Sequence, residues 1–303
     1  MKPYDKPALS YPEQVDLVRS RGLQVRDPGE AAKFLSRVSY YRISTYFLPF
    51  QTERDRFAPG SSFDAIVDLY RLDEELRRGL FAVLAKVEIS LRTRFIYALA
   101  KGWGPFAHYL SSLMRSDFNH REWLDSLERE VDRAREPFIN HYRVTYEGFP
   151  RLPVWMAVEV MRLGSLSALY SGLLPEPRRQ IVEGFGLPHP VFRSWLHFLS
   201  YLRNVCAHHA RLWDRELAIR PEIPRKDASW RKLAIGNTRV FCVLPVLECV
   251  TYWLGLLAAI LDEVRKTLGR IQGMNPRFPQ MMGIPQHWMG GGVFPAGTLR
   301  RQI

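Results

Sequence analysis

Cysteine is scarce in this chain: Cys206, Cys242 and Cys249 are the only ones among 303 residues. No two form a C-x-x-C pair. An odd, scattered set supports neither a disulfide framework nor a thiolate metal site and fits a reducing cytosol. Other metal signatures are missing too, whether H-E-x-x-H, a carboxylate cluster or a Cys/His set, so neither metal nor cofactor is expected. The start, "MKPYDKPALSYPEQ", lacks the basic-then-apolar design of a signal peptide. Long apolar runs reduce to one, "VFCVLPVLECVTYWLGLLAAIL" (240–261). Pro245 and Glu248 interrupt it and "DEVRK" follows at once, so it reads as a buried core helix and not a membrane span. No segment alternates in a way that demands a sheet, and there is no internal repeat. The expectation is a soluble, cytoplasmic protein without membrane contact.

Acidic residues are also in deficit. Lys and Arg number 43 against 31 Asp and Glu, a net charge of +12 with a pI near 9.8. A solvated basic surface would account for this, but a polyanionic partner such as nucleic acid accounts for it more specifically. What is abundant is core-forming material: 47% hydrophobic and 13% aromatic residues, enough for a main domain with a smaller appendage.

The periodicity is helical nearly throughout. "YPEQVDLVRSRG" has Pro12 in its first turn and stops at Gly22. "DPGEAAKFLSRVSYYRISTYFLPF" starts with Asp27 as cap and runs to Pro49, and "QTERDRFAPGSS" reads as a polar connection. From Ser62 to Ala100 there is no proline, and Gly79 is the only glycine. Ile66, Leu69, Leu72, Leu76, Leu80, Val83 and Val87 recur at close to helical spacing. This predicts one helix, or two end to end, about 60 Å long at about 1.5 Å per residue. Further helices are predicted near 119–135, 153–172, 188–211 and 239–268, before an irregular tail rich in Gly and Pro.

One stretch carries chemistry: "SYLRNVCAHHARLWDR" (200–215). Projected as a helix, it places Trp195, Leu199, Leu202 and Cys206 on one face and His197, Tyr201, Asn204 and His208 on the opposite one. The second stripe holds imidazoles, a phenol and an amide, with none of the Lys and Glu usual on a merely solvated face. Arg203 lies about 100° round from Asn204 and does not share a face with His208. Its long side chain swings round, or the helix distorts, or a second copy completes the site; spacing leaves the three open. A histidine pair near a helix end can also simply cap carbonyls or pair with a carboxylate such as Asp214.

Such a set can nevertheless cleave RNA. The reaction needs a 2′-OH deprotonated, a 5′-oxygen protonated and a phosphorane's charge stabilised. Histidine as a residue type moves protons near neutrality. Arginine brings a permanent charge in a fork matched to phosphate, and an asparagine can hold either in place.

"RNVCAH" (Arg203–His208) fits the R-N-x-x-x-H form of the R-x(4–6)-H motif of HEPN ribonucleases, and "LRNVCAHHARLWDR" resembles the signature of the Abi-like (AbiD/AbiF) abortive-infection proteins. "YPEQVDLVRSRGL", "FLSRVSYYRISTYFLPF", "VEISLRTRF", "LPVWMAVEVMRLGSLSALY" and "MGIPQHW" resemble that family's other blocks in the same order, so the likeness covers nearly the whole chain. It implies an all-α HEPN-type helical bundle, metal-independent endoribonuclease activity as an anti-phage toxin, and a homodimer that brings two motifs into one cleft. A structured regulatory RNA is implied as well, through likeness to RNA-guided type VI CRISPR nucleases. Carried over by position, Arg203, Asn204 and His208 are the catalytic set. His209 gives an R-x5-H reading that the motif also permits; His208 is favoured because it shares the stripe with Asn204, Tyr201 and His197.

Supporting roles are expected for Glu88 and Arg92, an i, i+4 pair in "KVEISLRTRF". They form an ordinary helix-face ion pair, or Glu88 orients an active-site arginine or histidine across the bundle. Glu159, among apolar residues, is expected to need a buried partner. The strip 220–239, with Arg220, Arg225, Lys226, Arg231, Lys232 and Arg239 around Trp230, reads as a phosphate-tracking surface with an aromatic for stacking, or as a solvated loop. The expected organisation is a helical annex over 1–60, a HEPN-like core over 61–270 and an irregular tail over 271–303 packing on the core. The rival to catalysis is a non-catalytic RNA-binding module; a structural helical adaptor is the weaker third.

Overall fold

The structure, a computed structural model, describes residues 7–294. The chain is all-α. Among the described residues fourteen α-helices accompany a single two-stranded sheet. Contacts divide the chain into two compact units, one ending at Glu75 and the other beginning at Leu76; the division falls inside one continuous helix.

The first unit holds α1 (Tyr11–Ser20), α2 (Pro28–Arg37), α3 (Tyr40–Ser44) and the start of α4 (Phe63–Trp103). Ser10 and Glu13 close a reciprocal capping box on α1, and Asp27 caps α2 as its sequence predicts. The run predicted as one helix from Asp27 to Pro49 is broken at Ser39, whose hydroxyl caps α3 instead. The polar connection "QTERDRFAPGSS" contains a short antiparallel hairpin, β1 (Gln51–Glu53) with β2 (Arg56–Phe57), that the sequence reading does not anticipate. Most of the aromatics here are core: Tyr46 stands edge-on to Tyr70, Phe47 to Phe57, and Phe34 to both Phe63 and Tyr70. The buried Asp73 accepts from the Tyr46 hydroxyl at 2.6 Å.

In the second unit the rest of α4 is followed by α5 (His120–Arg133), α6 (Pro137–Thr145), α7 (Val154–Val160), α8 (Leu163–Gly172), α9 (Pro175–Val182) and α10 (His189–Ala207). Then come α11 (Ala228–Leu233), α12 (Val243–Trp253), α13 (Asp262–Met274) and α14 (Phe278–Met282). α4 runs uninterrupted, as the absence of proline predicts. Gly79 costs it some propensity but admits α13 closely: a Cβ there would sit 3.3 Å from Val264 Cγ2.

Three predicted helices are shorter than their apolar periodicity. The 153–172 segment breaks at Met161, whose backbone is extended. The break leaves the Arg162 N–H and the Ser165 hydroxyl to Glu130, at 3.1 and 2.8 Å. The 239–268 segment breaks after α12, where Gly255 has φ +73° and a Schellman pair of bonds closes the helix (Leu256 N to Thr251 O, Gly255 N to Tyr252 O). The third is α10. No described helix is long and apolar enough to cross a membrane.

α12 is buried along most of its length, Glu248 included. Burial pushes the Glu248 carboxyl up, against the pull of Arg265 at 3.0 Å. The same carboxylate accepts the backbone N–H groups of Val293 and Phe294, which fastens this end of the tail. The tail predicted as irregular thus contains α14 and a defined anchor. Cys206, Cys242 and Cys249 are buried and form no disulfide, with the Cys242 thiol pushed up to about 12 by desolvation.

Candidate active site at the end of α10

The two stripes read from the sequence are present in space. Trp195, Leu199, Leu202 and Cys206 are buried, while His197, Asn204 and His208 are exposed and Tyr201 is half-buried. The apolar stripe seats the helix: Trp195 stacks on Trp253 and donates its indole N–H to Glu222 O at 2.8 Å.

The helix does not reach residue 211, as its apolar pattern predicts; it stops at Ala207 with His208 as C-cap. His209 then adopts φ +53°. His209 N bonds to Cys206 O and Ala210 N to Val205 O, both at 3.1 Å. This is the same Schellman motif that Gly255 closes, built on a histidine in the left-handed position where glycine is the usual residue. Histidine is among the few types enriched there, and backbone held in so sparsely populated a region is a mark of functional surfaces. No hydrogen bond or ion pair joins Arg203 to His208 among the described residues, and the His208 imidazole hydrogen-bonds to none of them.

Arg203 is instead directed to its own helix and to α4. Its Nη1 donates to Asn204 Oδ1 at 3.4 Å, and its Nε stands 4.0 Å from Glu88 Oε2. Glu88 also holds Arg92 at 2.7 Å. Arg92 in turn donates to Met161 O at 2.8 Å, the carbonyl exposed by the α7–α8 break, and faces Glu159 at 3.8 Å. A chain of alternating charges therefore runs Glu159–Arg92–Glu88–Arg203. Glu88 and Arg92 are only 12% and 19% exposed, whereas Arg203 is 42% exposed: the network is anchored inside and ends at the surface. Glu159 departs from expectation. It is 52% exposed because α7 ends one residue later and turns that position outward, while the partner expected for it is present in the largely buried Arg92.

The remaining residues fall into separate groups. The Tyr201 hydroxyl is engaged, accepting from Arg215 Nε at 2.8 Å. Arg215 is a site neighbour that sequence reasoning missed, though its place in "LWDR" is a signal that could have found it. In the basic strip, Arg220 pairs with Glu216 at 2.9 Å and Arg239 donates to Asp214 O at 2.9 Å. Arg225, Lys226, Arg231 and Lys232 are exposed and form no ion pair among the described residues. Trp230 is buried against Trp195 and Phe294, which overturns its reading as a stacking platform: its place on the inner side of α11 makes it core. Among the described residues no group of three or more His, Cys, Asp or Glu could hold a metal ion.

Residues 33–214 match the family model of Abi-like proteins; the match ends at Asp214, just past the histidine pair. No curated protein and no solved structure matches the chain.

Proposed function

The chain belongs to the Abi-like protein family, a family associated with abortive-infection defence, and from that premise we propose that it is a metal-independent HEPN endoribonuclease acting as an anti-phage toxin in the cytoplasm. One observation carries this reading. Arg203 is held at the surface by a buried carboxylate, five residues before an exposed His208 at the helix terminus, with Asn204 between them.

The chemistry follows from what each group can do. A ribose 2′-oxygen attacks the adjacent phosphorus while the bond from phosphorus to the 5′-oxygen breaks, leaving a 2′,3′-cyclic phosphate and a 5′-hydroxyl. His208 takes the proton from the 2′-oxygen or delivers one to the departing 5′-oxygen. Arg203 stabilises the charge on the phosphorane, and Asn204 orients the guanidinium through their mutual contact. Within one chain Arg203 turns toward Glu88 and not toward His208, which favours a homodimer in which each copy supplies one of the two groups. Arg225, Lys226, Arg231 and Lys232 would track RNA phosphates. A structured small RNA bound to the same basic surface would restrain cleavage until infection.

The test is product chemistry combined with complementation. End-labelled RNA should yield 2′,3′-cyclic phosphate and 5′-hydroxyl ends. Arg203→Ala and His208→Ala, each inactive alone, should recover part of the activity when mixed and allowed to exchange. Cleavage by both variants at the wild-type rate would refute the catalytic assignment. Recovery that never appears would refute the shared site. RNA binding without any cleavage, by wild type and variants alike, would leave the RNA-binding module as the reading.

A further inference from the structure

The face of α10 that ends in His208 continues toward the other end of the helix. Arg193 stands four residues before His197, and Ser200 lies between His197 and Asn204, so the polar stripe runs from Arg193 to His208. Along its first half the stripe borders a groove of about 690 Å³ between α8 and α10. α8 presents Gly164, Ser167 and Ser171 to it, and α10 presents Arg193, His197 and Ser200.

Three features make this a built site and not a gap between helices. Ser167 and Ser200 are only 4% and 7% exposed; their hydroxyls form no hydrogen bond among the described residues, and neither oxygen is fully shut off from solvent. Both line the groove, so each keeps a hydroxyl available to bond a ligand there. Arg193 is exposed and forms no ion pair among the described residues. Gly164 keeps the floor open: a Cβ there would meet Ser200 Oγ at 3.3 Å. The one carboxylate in the lining is Glu222, which disfavours a second phosphate but can accept from the amino group of a base.

We propose that this groove is the subsite for one ribonucleotide flanking the cleaved bond, with its 2′-hydroxyl on Ser167 and Ser200, its phosphate against Arg193 and His197, and its base edge toward Glu222. This rests on the ribonuclease reading for its orientation toward Arg203. Ten residues separate Arg193 from Arg203, about 15 Å along the helix axis, a span of a few nucleotides. The 2′-hydroxyl is the group by which a protein tells RNA from DNA, so the groove is where that discrimination is made.

The test is binding, which needs no turnover. The full chain carrying His208→Ala is titrated with a fluorescent single-stranded RNA octamer and with the DNA of the same sequence, followed by anisotropy. Ala168→Leu, which fills the groove without changing charge, should weaken RNA binding about 10-fold, equivalent to about 1.4 kcal/mol, and change DNA binding far less. Arg193→Ala, an exposed position that does not threaten folding, should lower the slope of log affinity against log salt by about 0.7, one single-strand phosphate contact. Unchanged RNA affinity in both, with melting temperatures intact, overturns the groove even if the wild type cleaves RNA. Weakened and less RNA-selective binding supports the groove even if the wild type cleaves nothing, and it is then the nuclease reading that falls. Equal loss for RNA and DNA on Ala168→Leu also overturns it, since the groove then makes no use of the 2′-hydroxyl.

Discussion

Replacing Glu88 with glutamine removes a negative charge shared by two arginines while keeping the side chain's size. The two contacts weigh differently. Arg203 is nearly half-exposed and 4.0 Å away, so that pair contributes about 0.5 kcal/mol to stability. Arg92 is largely buried at 2.7 Å, where stranding one charge of a shielded pair costs about 3 kcal/mol. Glutamine's carbonyl still accepts from Arg92, which also keeps Met161 O and Glu159. The expected net cost is therefore about 1–2 kcal/mol, a fall in Tm of about 2–8 °C for a unit of this size. Cleavage should suffer independently, because Arg203 loses the anion that directs it. Misplacing a catalytic group by about 1 Å can cost about 100-fold; as Asn204 still holds Arg203, a fall of about 10-fold in kcat is expected, with KM little changed. Initial rates on a fluorogenic RNA and melting by circular dichroism read the two effects separately. A lower Tm with wild-type kcat refutes the orienting role, and no change in either refutes the network.

Two further outcomes follow from the backbone and from burial. His209→Gly, which glycine's freedom in the left-handed region accommodates without a Cβ clash, should leave cleavage intact; loss of cleavage with the fold retained in thermal melts would make His209 the working histidine. His108 is buried with both ring nitrogens unpartnered, and desolvation, with His120 and Arg151 nearby, lowers it to about 3 from 6.5. The unfolded chain therefore binds this proton first, so stability rises with pH between about 3 and 6.5 and is lost as pH falls through that window, by about 1.4 kcal/mol per unit. His108→Leu should gain stability relative to wild type as pH drops from 7 to 4 in thermal melts; a constant difference across that range contradicts the buried neutral imidazole.

How much of this was legible in the sequence depends on what each feature rests on. α4 and the two faces of α10 follow from side-chain periodicity, which burial enforces directly. The helix ends do not. Apolar residues continue past Met161, Leu254 and Ala207, so periodicity overshoots each time. At Leu254 the following Gly255 offered a stop signal, but at Ala207 the left-handed residue is a histidine, which no stop rule singles out. The Glu88–Arg203 contact joins helices more than a hundred residues apart in the chain, and only the family resemblance hinted at it. Trp230 and Glu159 were misjudged for one reason: neighbours in sequence do not say which side of a short helix faces inward.

The central claim, that Arg203 and His208 cut RNA without metal, is tested most directly by one measurement: cleavage of labelled RNA in excess chelator by wild type, Arg203→Ala and His208→Ala, each shown to be folded. Cleavage by wild type that both variants lose by about 100-fold or more is the predicted result. Wild-type cleavage that either variant retains in full would contradict it.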